Sequence, residues 1–149
     1  MRKLVFLLSL LFLSTAMVTA AESYTALWKQ YYAEAEEWHP RTGMALLDKI
    51  ITRATAEKEY GHLVKAQICR SSMMVQLSPD SFDIEVARME RAEAAATEPV
   101  LKAVYATVLG KLYRDNYQYA NKGGYEAKYR ACFTRALQDK DRLAHTQAR

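Results

Sequence analysis

From Pro99 to Tyr119 the chain is suited to one structure, a helix that is apolar on two faces. Leu101, Val104, Tyr105, Val108, Leu109 and Leu112 recur at offsets 0, 3, 4, 7, 8 and 11, the period of an α-helix and not of a strand. A second face carries Ala103, Ala106 and Gly110, small residues that let another backbone approach closely. A helix with partners on two sides is an inner helix of a stack, so this stretch constrains the whole architecture. No catalytic or ligand-binding signature lies on it.

Residues 1–20 read as a targeting segment and not as part of the fold. Arg2 and Lys3 form a positive start, and Leu4–Leu13 is an apolar run broken only by Ser9. Small residues around Val18-Thr19-Ala20-Ala21 offer a signal-peptidase site, most simply after Ala20. The run is too short to span a bilayer comfortably, and no other stretch approaches ~18 consecutive apolar residues. The expectation is an exported chain, periplasmic or extracellular, with no stable membrane insertion once the leader is cut. Arg2 and Lys3 leave with the leader and take the formal charge from +4 to +2, which removes the argument for a nucleic-acid partner. Acids and bases are interspersed on the predicted helices, the pattern of a solvated surface. Two cysteines remain, Cys69 and Cys132. An oxidising compartment permits a disulfide between them, and burial as free thiols in helix faces is the alternative.

The remaining 129 of 149 residues suffice for one domain with a real core. Ser23 caps a predicted helix to about Trp38, with Tyr24, Leu27, Trp28, Tyr31, Ala35 and Trp38 on one face, and Pro40 stops it. Thr42 caps a second to about Tyr60, with Gly61 as its left-handed end. A third runs His62–Leu77, and Ser78-Pro79-Asp80-Ser81 turns the chain. In a thinner fourth, Phe82–Ala96, the spacing points Phe82, Val86 and Met89 inward and Glu85, Arg88, Glu90, Arg91 and Glu93 to water. Pro99 starts the inner helix. After the Gly123-Gly124 joint a sixth helix, Tyr125–Asp139, places Tyr129, Cys132, Phe133, Ala136 and Leu137 on one face. Asp141–Arg149 looks like the start of a further element that ends unsupported. No segment alternates with the period of a strand, so the fold class is all-α.

About six helices with short breaks describe antiparallel hairpins, either closed into a bundle or stacked openly. Two features favour the stack. Leu109-Gly110-x-x-Tyr113 resembles the small-residue and tyrosine spacing of a tetratricopeptide first helix, and Phe133-x-x-Ala136-Leu137 resembles the end of its second. The gap between them exceeds the repeat of about 34 residues, which makes the glycine loop an insertion. The expectation is a helical-repeat domain over residues 21–149.

Chemistry finds little support in the residues. Glu36–His39 and Glu59–His62 share the i, i+3 spacing of di-iron carboxylate bundles, but both fall at helix ends and neither projects from mid-helix. No metal and no cofactor are expected. There is no Gly-x-Ser-x-Gly elbow, glycine-rich phosphate loop or Cys-x-x-Cys. No catalytic residue is assigned, and the reading is non-enzymatic. Ten tyrosines and two tryptophans are more telling, because these types dominate interface energetics. Tyr24, Trp28, Tyr31, Tyr105, Tyr113 and Tyr129 lie on the stripes and are expected to pack between helices. Tyr32, Tyr117 and Tyr119 lie off the main stripes and are the candidates for a partner surface, protein or, alternatively, glycan or peptidoglycan.

Several runs then follow in an order that resembles a known family. They are Leu27-Trp28-Lys29, Pro40-Arg41-Thr42-Gly43-Met44-Ala45-Leu46-Leu47-Asp48-Lys49-Ile50, Leu63-Val64-Lys65-Ala66-Gln67, Pro99-Val100-Leu101-Lys102-Ala103-Val104 and Leu112-Tyr113-Arg114-Asp115-Asn116-Tyr117. They are similar to the N-terminal helical region of the large secreted alpha-2-macroglobulin-like proteins of Bacteroidota. The resemblance implies an export signal, a leading helical-repeat segment and then a series of β-sandwich domains in a protease-trapping protein. This chain ends before any β-sandwich, as a fragment or shortened product would. The family's thioester needs Cys-x-Glu-Gln, which neither Cys69-Arg70-Ser71-Ser72 nor Cys132-Phe133-Thr134-Arg135 supplies. The implied role is protein binding, either to a partner or to further domains of a larger chain.

Overall fold

Each predicted apolar stripe finds a neighbouring helix. The computed structural model describes residues 22–116 and 124–145. Among them are six longer helices and a short seventh: α1 (Tyr24–Glu36), α2 (Pro40–Glu57), α3 (Tyr60–Leu77), α4 (Ser81–Ala95), α5 (Pro99–Asp115), α6 (Gly124–Ala136) and α7 (Lys140–Ala144). No strand occurs among the described residues, and the domain is all-α. Connections of two or three residues between α1 and α5 force antiparallel neighbours. The packed pairs are α1 with α2, α2 with α3, α3 with α4 and α5, α4 with α5, and α5 with α6. Each hairpin therefore rests on the next, and α3 lies directly on α5, as in an open helix-hairpin stack. No helix of the described residues is long and apolar enough to cross a membrane.

The core runs along the stack in three joined clusters. Leu27, Trp28, Tyr31, Leu47, Ile50, Ala66 and Met73 bind α1 and α2 to α3. Ala54, Leu63 and Val104 link α2 and α3 to α5. Val86, Met89, Val108, Leu109, Leu112, Tyr113 and Cys132 hold α4, α5 and α6 together. The two faces of α5 behave as their composition demands. Val104, Val108, Leu109 and Leu112 are buried, and the small face at Ala106 and Gly110 receives α6, whose Phe133 ring lies on Gly110.

Helix ends show where local chemistry decides. Ser23 caps α1, its hydroxyl accepting from the Ala26 N–H at 3.1 Å. Ser23→Ala leaves that donor without a protein partner and is expected to cost about 1 kcal/mol, readable in a urea melt. Helix α2 begins at Pro40 and not at a Thr42 cap, because proline at a first helical position has the right φ and loses no hydrogen bond. The left-handed residue that ends α2 is Lys58 (φ 58°), not Gly61, which lies inside α3. Trp38, expected on the buried stripe of α1, instead follows its end in the left-handed region (φ 55°) and is 51% exposed. Leu137 likewise lies just past the end of α6 and is exposed.

One correction reaches the core. Glu85, expected in water, is only 2% exposed. It accepts hydrogen bonds from Ser71 Oγ (2.8 Å), Arg70 Nη1 (3.0 Å) and Arg88 Nη2 (2.7 Å) and Nε (3.0 Å). Arg88 also donates to Gln67 Oε1 at 3.0 Å, and Arg70 to Asp48 Oδ1 at 2.8 Å. Helix α4 thus docks on α3 through a closed polar network as well as through apolar contact.

Candidate functional site

Tyr24, Trp28, Tyr31 and Tyr32 stand at offsets 0, 4, 7 and 8 along α1, so one helix carries four rings along adjoining rows. Trp28 and Tyr31 point into the core, whereas Tyr32 is 49% exposed at the edge of the same cluster. The Tyr32 ring stacks on Trp28 with centroids 5.9 Å apart and planes at 28°. Tyr31 meets Trp28 edge-on at 5.7 Å, and its ring lies 5.4 Å from that of Tyr32 with the planes tilted at 56°. Lys65, from α3, places its ammonium 4.2 Å from the Trp28 ring centroid and 5.2 Å from that of Tyr32. A half-exposed ring is thereby held by a buried one and by a cation.

The support continues inward. Trp28 Nε1–H donates to His62 Nδ1 at 3.0 Å, and His62 stacks on Tyr24 with centroids 4.0 Å apart and planes at 12°. The Tyr24 hydroxyl donates to Glu57 Oε2 at 2.9 Å, under the Arg53 guanidinium 4.3 Å from its ring. Burial first, and then the Glu57 hydrogen bond, push the Tyr24 hydroxyl up to about 12. Burial likewise raises Tyr31, reinforced by Cys69. These phenols stay protonated at neutral pH and serve as donors and stacking surfaces, not as bases. The thiols are equally quiet, since burial raises both Cys69 and Cys132, which are free.

Of the three tyrosines singled out by their off-stripe positions, Tyr32 is on this surface. Tyr117 and Tyr119 lie outside the described residues. The two Glu-x-x-His motifs are not brought together. His62 stacks near the start of α1, while His39 follows its other end, with its Nδ1 3.0 Å from Glu34 and 3.6 Å from Glu37. A 13-residue helix at 1.5 Å per residue separates them by about 20 Å. Among the described residues no group of three or more histidines, cysteines and carboxylates could hold a metal. The contribution of Lys65 was not legible, because its neighbours on α1 lie more than thirty residues away in sequence.

The other concave regions lack convergent reactive groups. A groove of about 690 Å³ between the α3–α4 turn and the end of α5 has Asp80, Asp83 and Asp115 beside Phe82 and Tyr125. A smaller one, about 380 Å³, lies where α4, α5 and α6 meet, with Arg135 forked onto Glu93 at 2.8 and 2.9 Å. Neither pairs a nucleophile with a base. No family model matches the chain, and comparisons with curated proteins and with solved structures find no match.

Proposed function

We propose that this chain is an exported, non-enzymatic helical-repeat module that binds protein through the face bearing Tyr32. One observation carries the reading: a half-exposed tyrosine rests on a buried tryptophan and beside a lysine cation. Such an anchor is already ordered, so a partner gains aromatic contact with little loss of side-chain freedom. Export rests on the leader-like residues 1–20, and the kind of partner rests on the resemblance to the leading segment of alpha-2-macroglobulin-like proteins. In that reading the partner is a protease-trapping assembly's own β-sandwich region or a protein it engages.

The test is capture from envelope extract by the immobilised mature domain, beside Tyr32→Ala. A specific protein partner is expected, with binding weakened about tenfold or more by the substitution. The thermal melt should change little, because half of the ring already faces solvent. Recovery of no partner, or of one indifferent to Tyr32→Ala, counts against the reading. Retention on a glycan or peptidoglycan array that Tyr32→Ala abolishes would make the same ring a sugar-stacking platform instead.

A further inference from the structure

An indole N–H is a donor and nothing else, so the nitrogen that receives the Trp28 proton, Nδ1 of His62 at 3.0 Å, must carry none. The contact exists only with the neutral imidazole whose proton is on Nε2. We propose that it is a proton-operated latch between α1 and α3, closed on neutral His62 and opened by its protonation. Protonation places an N–H on Nδ1 facing the indole N–H at hydrogen-bond distance. Two donors then share one line with no acceptor, and the ring or the helix must move.

A buried acceptor lies close by in the chain. Glu59, one helical turn before His62, has a buried Oε2 without a hydrogen-bond partner. The charges around the latch come from every side. Helix α1 supplies the stacked Tyr24 ring, and α2 supplies Arg53 and Glu57, bonded to each other at 2.8 Å and both engaged with Tyr24. Glu59 immediately precedes α3, and α3 supplies Lys65, whose ammonium lies over the indole. Ahead of α5, Glu98 is held by Lys58 and Tyr60.

Opening the latch is local. Leu27 and Tyr31 still bury α1 against α2 and α3, so only the edge of α1 around Tyr24 and Trp28 loosens. This holds whether or not Tyr32 belongs to a binding surface.

The chain has two tryptophans and three histidines, so Trp38→Phe leaves one indole, and His39→Asn serves as a control. The readout is the Trp28 Nε1–H resonance followed from about pH 8 to about pH 5, the range in which histidines titrate. It is expected to shift with a single-proton transition and, relative to the intrinsic exchange rate of a free indole at each pH, to lose about tenfold in protection at the acid end. His39→Asn should leave the transition in place. His62→Gln, whose amide oxygen can accept the indole proton and does not titrate, should abolish it. A resonance flat in the chain with native His62, or a transition that persists in His62→Gln, overturns the latch. Should His62→Gln fail to fold, the ¹⁵N shift of His62 Nδ1 decides. It must change in step with the Trp28 resonance, and titration out of step overturns the proposal.

Discussion

Glu85→Ala is expected to destabilise the fold by about 3 kcal/mol, read as a shift in the midpoint of urea unfolding at neutral pH. The carboxylate is 2% exposed and receives four hydrogen bonds, three of them from the guanidiniums of Arg70 and Arg88. Removing one partner of a buried ion pair typically costs roughly 3–5 kcal/mol, because the remaining charge stays desolvated. Arg70 and Arg88 keep 20% and 28% exposure and can recover some hydration, which places the expectation at the low end. Arg88→Met should cost less, since Arg70 and Ser71 still hold Glu85. The double variant should be less unstable than the two losses added together, because with Arg88 gone the emptied carboxylate site no longer faces its closest guanidinium. A midpoint unmoved by Glu85→Ala would mean that the carboxylate reaches water.

The same network makes stability depend on pH in one direction. Burial pushes the Glu85 carboxyl up, but the Arg88 hydrogen bond and charge, the Ser71 hydroxyl and Arg70 together outweigh it, and the group sits below its ordinary value of 4.5. In the acid range the unfolded chain therefore binds the proton more readily, and stability rises with pH there. The contribution is complete above the ordinary carboxylate range and is lost as pH falls through the lowered native value. The gap between wild type and Glu85→Gln should accordingly narrow on acidification, as repeated urea melts would show.

The network also marks the boundary of what a one-dimensional pattern conveys. All-α class, helix number and most buried faces follow from spacing, because a 3.6-residue period leaves an amphipathic segment few other ways to bury its stripe. Ser23 and Pro99 were readable for the same reason, as cap and first-turn chemistry act within a few residues. Glu85 departs from the expectation because its position on the helix, not its residue type, decides its burial. It stands at +3 from Phe82 in the stripe completed by Val86 and Met89, a buried register for any side chain. Its partners Arg70 and Ser71 come from the preceding helix, and no local rule pairs them. Gly61 departs for a different reason, since Lys58 reaches the left-handed region three residues earlier and lets α3 begin at Tyr60. At the candidate site, Tyr32 was legible as an off-stripe ring. The indole–imidazole bond and the Lys65 contact join residues over thirty positions apart, and only packing creates them.

Of Gly43, Gly110 and Gly124, Gly110 has the least room for a side chain. A Cβ there would stand 2.6 Å from Cε1 of Phe133 and 2.9 Å from both Cδ1 and Cζ, closer than real side chains come. Gly110→Leu should therefore cost roughly 1–3 kcal/mol through overpacking between α5 and α6. Gly110→Ala separates two opposed effects: alanine gains about 1 kcal/mol of helix propensity over glycine, while the clash with Phe133 works against it. Adding Phe133→Leu to Gly110→Ala clears the ring edge and should recover most of what the clash costs, whereas Phe133→Leu alone is expected to destabilise by emptying the site. Thermal melts of the set distinguish overpacking from a general intolerance of change. A melt unaffected by Gly110→Leu would mean that α6 does not seat on the small face of α5. The recovery in the double variant follows only if the missing Cβ of residue 110 is what lets Phe133 close the last hairpin onto the stack.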